Sequence, residues 1–160
     1  MTISCAPVIS AYGHIVAFQS RASNLVAGDT NQSTDIFVHD RSTGLTERVS
    51  VDSSGAEGNR ESRCPSISAD GQIVAFHSLA SNLVAGDKNG TPDVFVHDRS
   101  TGITERVSVD SSGAEGNYYS AYPSISRDAS AQEGAGAQPS PDCTQSFDLH
   151  LHGHGLPSPG

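Results

Sequence analysis

Two seven-residue loops carry side-chain oxygens at alternate positions. They read Asp29-Thr30-Asn31-Gln32-Ser33-Thr34-Asp35 and Asp87-Lys88-Asn89-Gly90-Thr91-Pro92-Asp93. Asp29, Asn31, Ser33 and Asp35 stand at i, i+2, i+4 and i+6, as do Asp87, Asn89, Thr91 and Asp93. Calcium loops use this spacing because alternate residues can turn their oxygens onto one hard cation. Calcium is the one metal these residues suggest, and no other cofactor is expected. Against it, the position where an EF-hand turns on Gly holds Thr34 and Pro92, and no bidentate Glu closes either loop. Asp and Asn also close turns by bonding their own backbone, and that is the favoured use of these residues.

Other candidates carry less. His39 precedes Asp40 and His97 precedes Asp98, which invites a His-Asp catalytic pair. Adjacent residues of a strand point to opposite faces, however, and no G-x-S-x-G elbow exists anywhere in the chain. A structural role is expected for both pairs, and no catalytic residue is assigned. Glu47-Arg48 and Glu105-Arg106 read as a solvated edge face. His150, His152 and His154 alternate in a Gly/Pro-rich tail. On a strand they would line one face and could hold a transition metal; in such a tail they are expected to be loose.

These residues sit in a repeat. Pro65 to Asn117 occurs twice: Pro7 to Asn59 is the same stretch with about a dozen substitutions, and a third copy begins at Pro123 and soon stops. The period is 58 residues, 65 minus 7 and again 123 minus 65. A fixed period of tens of residues marks an array of like units, each covering its neighbour's apolar face. In the second copy Ser66-Ile67-Ser68 is short and extended, and Ala69-Asp70-Gly71 is a turn. Ile73-Val74-Ala75-Phe76 is an apolar run bounded by turn signals, the mark of a strand buried on both faces. Asp93 to Asp98 alternates, Arg99 to Gly102 turns, and Ile103 to Val109 alternates again as an outer strand. Four strands joined by short hairpins make one propeller blade. No window shows a helical period, and a β-solenoid ranks second.

With these residues laid out, the repeat resembles the WD40-like (PD40) repeat of TolB-type bacterial β-propeller proteins. The matching residues are Pro65-Ser66-Ile67-Ser68, Asp70-Gly71, Val74-Ala75-Phe76, Asp93-Val94-Phe95-Val96, Asp98, Thr101-Gly102 and Arg106-Val107-Ser108. The first copy matches through Ile9-Ser10, Gly13, Val16-Ala17-Phe18, Asp35-Ile36-Phe37-Val38, Asp40, Thr43-Gly44 and Arg48-Val49-Ser50, and departs at Val8 and Tyr12. The resemblance covers about 120 residues. It implies an all-β fold of two four-stranded antiparallel blades, residues 7–64 and 65–122. A lead-in (1–6), a truncated third repeat (123–128) and a disordered, low-complexity tail (129–160) complete the chain. It also implies a non-catalytic scaffold for a protein or peptide, and a periplasmic or secreted setting. No signal peptide is visible in Met1 to Cys5.

Bulk properties narrow the partners. The net charge is −9 and no basic stripe appears, so nucleic-acid binding is not expected. No apolar run is long enough to span a membrane. Cys5, Cys64 and Cys143 are odd in number and form no CxxC pair, so free thiols are expected. From about Arg127 the chain turns to Ala, Gly, Ser and Pro, too poor in apolar residues to offset chain entropy. Two blades cannot close a ring, since propellers have about four to eight. The chain therefore reads as a fragment of a larger TolB-like propeller. The alternatives are the propeller portion of a hydrolase or peptidase, and a short chain that closes a ligand-binding ring by self-association.

Overall fold

The computed structural model describes residues 5–126. Eight strands follow in chain order: β1 (Val8–Ile9), β2 (Ile15–Ser20), β3 (Asp35–Asp40), β4 (Thr46–Arg48), β5 (Ser62–Ile67), β6 (Ile73–Ser78), β7 (Asp93–Asp98) and β8 (Ile103–Arg106). They form two four-stranded sheets, β1-β2-β3-β4 and β5-β6-β7-β8. Every pairing is antiparallel, and no helix occurs among the described residues. The chain is all-β, and each repeat folds into the four-stranded meander of a propeller blade.

Local chemistry sets the turns. Ser10 and Ser68 each accept a bond on Oγ from the backbone N–H of Ile15 and Ile73, closing the first hairpin of each sheet. Asp40 and Asp98 accept backbone N–H bonds from Ser42 and Ser100 at 2.8 Å and so cap the third hairpin. The central ladders share one register: Ile15 opposes Asp40 through Ser20 opposite Asp35, and Ile73 opposes Asp98 through Ser78 opposite Asp93. Phe18 stacks on Phe37 with centroids 5.9 Å apart, and Phe76 on Phe95 at 6.1 Å.

The core lies between the two sheets. Ile15, Ala17, Ile36, Val38 and Val49 of the first meet Val74, Phe76, Ala80, Leu83 and Phe95 of the second. Gly71 sits where the second sheet's first turn packs on Ile15 of the first. Its φ is +79°, and a Cβ there would fall 2.6 Å from Ile15 Cγ1. Its counterpart Gly13 has the same turn but an open surface, with nothing nearer than 3.8 Å.

Three details differ from the sequence expectation. The strand opening the second sheet starts at Ser62, ahead of Pro65, with a bulge between Arg63 and Ser66. The outer strand β8 ends at Arg106 rather than running to Val109. Cys5 and Cys64 are not free thiols: they form a disulfide with Cα atoms 5.0 Å apart. The repeat frame hid this pair, since Cys64 aligns with Ala6 and its partner stands one residue earlier. One backbone bond at the first junction recurs one period on. Ser120 N–H donates to Pro92 O at 2.8 Å, just as Ser62 N–H donates to Thr34 O at 2.7 Å. Residues 127–128, the tail 129–160 with His150, His152 and His154, and Cys143 lie outside the described residues.

Candidate functional site

The two Asp/Asn loops build the same side-chain cluster in both sheets. In the second, Asp93 opens β7 and is fully buried. Its Oδ1 accepts from Ser108 Oγ at 2.6 Å, and its Oδ2 from Asn89 Nδ2 at 2.8 Å and Arg106 Nη1 at 3.4 Å. Arg106, at the end of β8, also donates from Nη1 to Glu115 Oε2 at 2.8 Å and lies 3.8 Å from Asp87 Oδ1. Asn89 accepts from the Thr91 N–H and donates to Gly116 O, each at 2.8 Å, which fixes the loop.

The first sheet repeats this with Asp35, Ser50, Asn31 and Arg48. Arg48 Nη1 is 2.8 Å from Glu57, 3.5 Å from Asp29 and 3.9 Å from Asp35. Ser33 donates its N–H to Asn31 Oδ1 at 2.7 Å. Thr30 adds its N–H and hydroxyl to Glu57.

The structure thus brings Asp29, Asn31 and Asp35 together, and Asp87, Asn89 and Asp93, but around an arginine. Carboxylate oxygens of Asp87, Asp93 and Glu115 lie within 4.8 Å of one another, with the Arg106 guanidinium among them. A calcium ion here would have to displace that guanidinium, and it would meet Asn89 through Nδ2, a donor. Ser33 and Thr91 enter by backbone N–H rather than as ligands. Burial pushes the Asp35 and Asp87 carboxyls up from the ordinary range. Hydrogen bonds pull Glu57 and Glu115 down: the Thr30 hydroxyl leads at Glu57, and the Lys88 N–H leads at Glu115.

The reading of Glu47-Arg48 and Glu105-Arg106 as a solvated face holds for the two glutamates and is corrected for the two arginines. The Arg48 and Arg106 side chains are each only 9% exposed. Alternation explains it: Glu47 points away from the cluster and pairs with Arg99 of the next sheet, while Arg48 turns onto the loop. Glu57 and Glu115 were missed because they sit in Gly-rich linkers. The available signal was their constant offset, nine residues after each arginine.

His97 and Asp98 do not meet. His97 Nδ1 bonds Thr104 Oγ1 at 2.8 Å, and that hydroxyl donates to Val51 O of the first sheet at 2.6 Å. Asp98 instead accepts from Ser100 Oγ at 2.6 Å. His39 repeats the bond, to Thr46 Oγ1 at 2.9 Å.

At the junction of the two sheets a cleft of about 410 Å³ opens beside the end of β2 and the start of β5. Arg21, Thr34, Arg60 and Arg63 are among its lining residues.

No family profile matches the chain, and no curated protein does. Among solved structures it is similar to TolB from Acinetobacter baumannii, at 24% identity and a TM-score of 0.40 over 63% of this chain. A protein described as a TolB from Agrobacterium tumefaciens is similar at 18% identity and a TM-score of 0.42 over 69%. The chain spans 20% and 32% of the lengths of those two structures. Both belong to the group whose repeat the Pro-Ser-Ile-Ser and Asp-Gly pattern resembles.

Proposed function

We propose that this chain is a non-catalytic pair of propeller blades that serves as a scaffold for a protein or peptide partner. The observation that carries this is where the polar groups go. His39 and His97, the Asp/Asn loops, and Arg48 and Arg106 are bonded within the blades, whereas the blade junction opens as a polar cleft lined by Arg21, Arg60 and Arg63. The Cys5–Cys64 bond supports an oxidising setting, periplasmic or secreted. Peptide display against the immobilised full chain tests the proposal. Enrichment of a sequence class by the folded chain, and not by the heat-denatured chain, is expected. No enrichment overturns it.

A second reading, self-association, has its own observation. Val49 and Val51 are 0% and 8% exposed under the second blade, while their counterparts Val107 and Val109 are 45% and 39% exposed. Conversely Ala80 and Leu83 are buried against the first blade, and their counterparts Ala22 and Leu25 have no blade over them. The two open faces therefore match each other head to tail. Light scattering decides: a mass of three or more chains supports closure by copies, and a monomer leaves the open faces to further blades of a longer protein.

A further inference from the structure

The two repeats are nearly the same sequence, which makes the places where they differ informative. Pro7–Asn59 and Pro65–Asn117 differ at eleven positions. The first repeat contributes Arg21, Gln32, Ser33 and Thr34 to the junction cleft. All four are replaced in the second repeat, by Leu79, Gly90, Thr91 and Pro92. The linker behind the first repeat adds Arg60, Glu61 and Arg63. These too are replaced one period on, by Tyr118, Tyr119 and Ala121. Four of the eleven differences fall in this one cleft, and with the three linker changes they remove all three of its arginines from the equivalent place one period on.

We infer that the cleft of Arg21, Arg60 and Arg63 binds the carboxylates of an acidic peptide segment. This deepens the scaffold reading and rests on it. Three of the chain's nine Lys and Arg residues converge here, although the chain carries a net charge of −9. One acid, Glu61, accompanies them, and it engages only Nη2 of Arg63, at 2.8 Å. Arg21 spends its Nε on Gln32 O at 3.0 Å, and none of the described residues bonds its terminal nitrogens. Guanidinium groups suit planar, bidentate recognition of carboxylate or phosphate.

A peptide is favoured over a small anion for two reasons. The cleft is far larger than one ion, and Leu79 gives it an apolar wall. At the same edge, one blade on, stands an aromatic group: Tyr119 and Tyr122 lie 6.4 Å apart between centroids, and His77 packs on Tyr122 at 5.4 Å. Tyr118, Tyr119 and Tyr122 are all exposed. A peptide with acidic and apolar side chains can use both junctions; phosphate can use only the first.

The test is fluorescence polarisation of the full chain with a labelled Glu/Tyr peptide, its Gln/Tyr counterpart, and unlabelled inorganic phosphate as competitor. The acidic peptide is expected to bind, the Gln form at least about tenfold more weakly, with affinity falling as salt rises. Arg60→Gln with Arg63→Gln, or the exposed Arg21→Gln alone, should weaken binding by about tenfold while the β-type circular dichroism is kept. Arg41→Gln, an exposed arginine held on Gly13 O, should change nothing. Equal binding of the two peptides, or no effect of the cleft variants, overturns the inference. Full displacement by millimolar phosphate overturns the peptide as the source of the anion. If display retains peptides indifferent to these variants, the cleft fails and the scaffold reading stands; if it retains none, the scaffold reading itself falls.

Discussion

Arg106 donates from Nη1 to Glu115 Oε2 at 2.8 Å, and Arg48 makes the same bond to Glu57 at the same distance. Each bond ties the end of an outer strand to the linker that leads out of its blade. Each arginine also faces an Asp at the start of the preceding strand, so one guanidinium holds three chain segments together. Removing it leaves buried Asp93 with two hydrogen bonds and no counter-charge. Arg106→Met should therefore cost about 3 kcal/mol by urea denaturation. Glu115→Gln should cost much less, because Glu115 is partly exposed and can rehydrate. With the arginine in place, added calcium is expected to leave the melting temperature where it was. A rise with calcium that Asp93→Asn abolishes would show that the loops take the metal after all.

The repeat permits a comparison in which chemistry is fixed and only surroundings change. Val49 and Val107 occupy the same place in their blades, one covered and one open. Val49→Ala should cost about 2 kcal/mol, and Val107→Ala less than about 0.5 kcal/mol, if the chain is monomeric in solution. Equal costs would mean that the second open face is covered, and would pair with a multimeric mass. Phe76→Ala sets the scale: it is fully buried, and its loss should cost about 3–5 kcal/mol.

Acid should unfold the chain in two stages. Burial holds His77 and His97 below the ordinary 6.5. A lowered histidine binds its proton less readily folded than unfolded, so its contribution is complete above 6.5 and is lost as pH falls through that value. The second stage belongs to carboxylates held down by hydrogen bonds. Asp40 is lowered to about 2, chiefly by the Ser42 hydroxyl, and Asp52, Glu57, Asp98, Asp110 and Glu115 are lowered too. Their contribution is present above the ordinary 3.8 to 4.5 and disappears as pH falls below it. Asp35 and Asp87 act the other way and recover stability as they protonate. The lowered groups outnumber them, so the melting temperature should drop from pH 7 to 5.5 and again below pH 4.5. His97→Gln should flatten the first drop; an unchanged first drop would exclude His97 as its source.

The strands were legible in the sequence because their apolar runs and Gly-marked turns are local signals, and the repeat showed each twice. The arginine clusters were not. Asp29, Asn31 and Asp35 read as turn residues with calcium as the alternative, and spacing alone does not say whether an amide presents its oxygen or its nitrogen, nor that an arginine enters the loop. Arg48 looked solvated because it stands on a short outer strand, and only the folded linker carrying Glu57 closes over it. Sequence difference between the repeats did hold the cleft in plain sight, but nothing local says that positions 21, 32–34 and 60–63 converge. That follows from the pairing of Ser62 N–H with Thr34 O, a contact between blades.

The Cys5–Cys64 disulfide gives the last expected outcome. It joins residues 59 apart, spanning the whole first blade, and fastens the lead-in to the bulged strand β5. Closing a loop of that length removes unfolded-state entropy worth about 4 kcal/mol. The Cys64 N–H donates to Gln19 Oε1 at 3.0 Å, so the tether also pins the contact between β2 and β5 next to the cleft. Reduction, or Cys64→Ser, should lower the midpoint of urea denaturation by an amount near that figure. Thiol titration of the chain unfolded in urea should count one free thiol, and reduction should raise the count to three. If reduction leaves the midpoint unmoved, the bond does not constrain the unfolded chain and the first blade is held by its own packing. If three thiols react before reduction, the pair is not bonded in solution, and the support it lends to an oxidising setting goes with it.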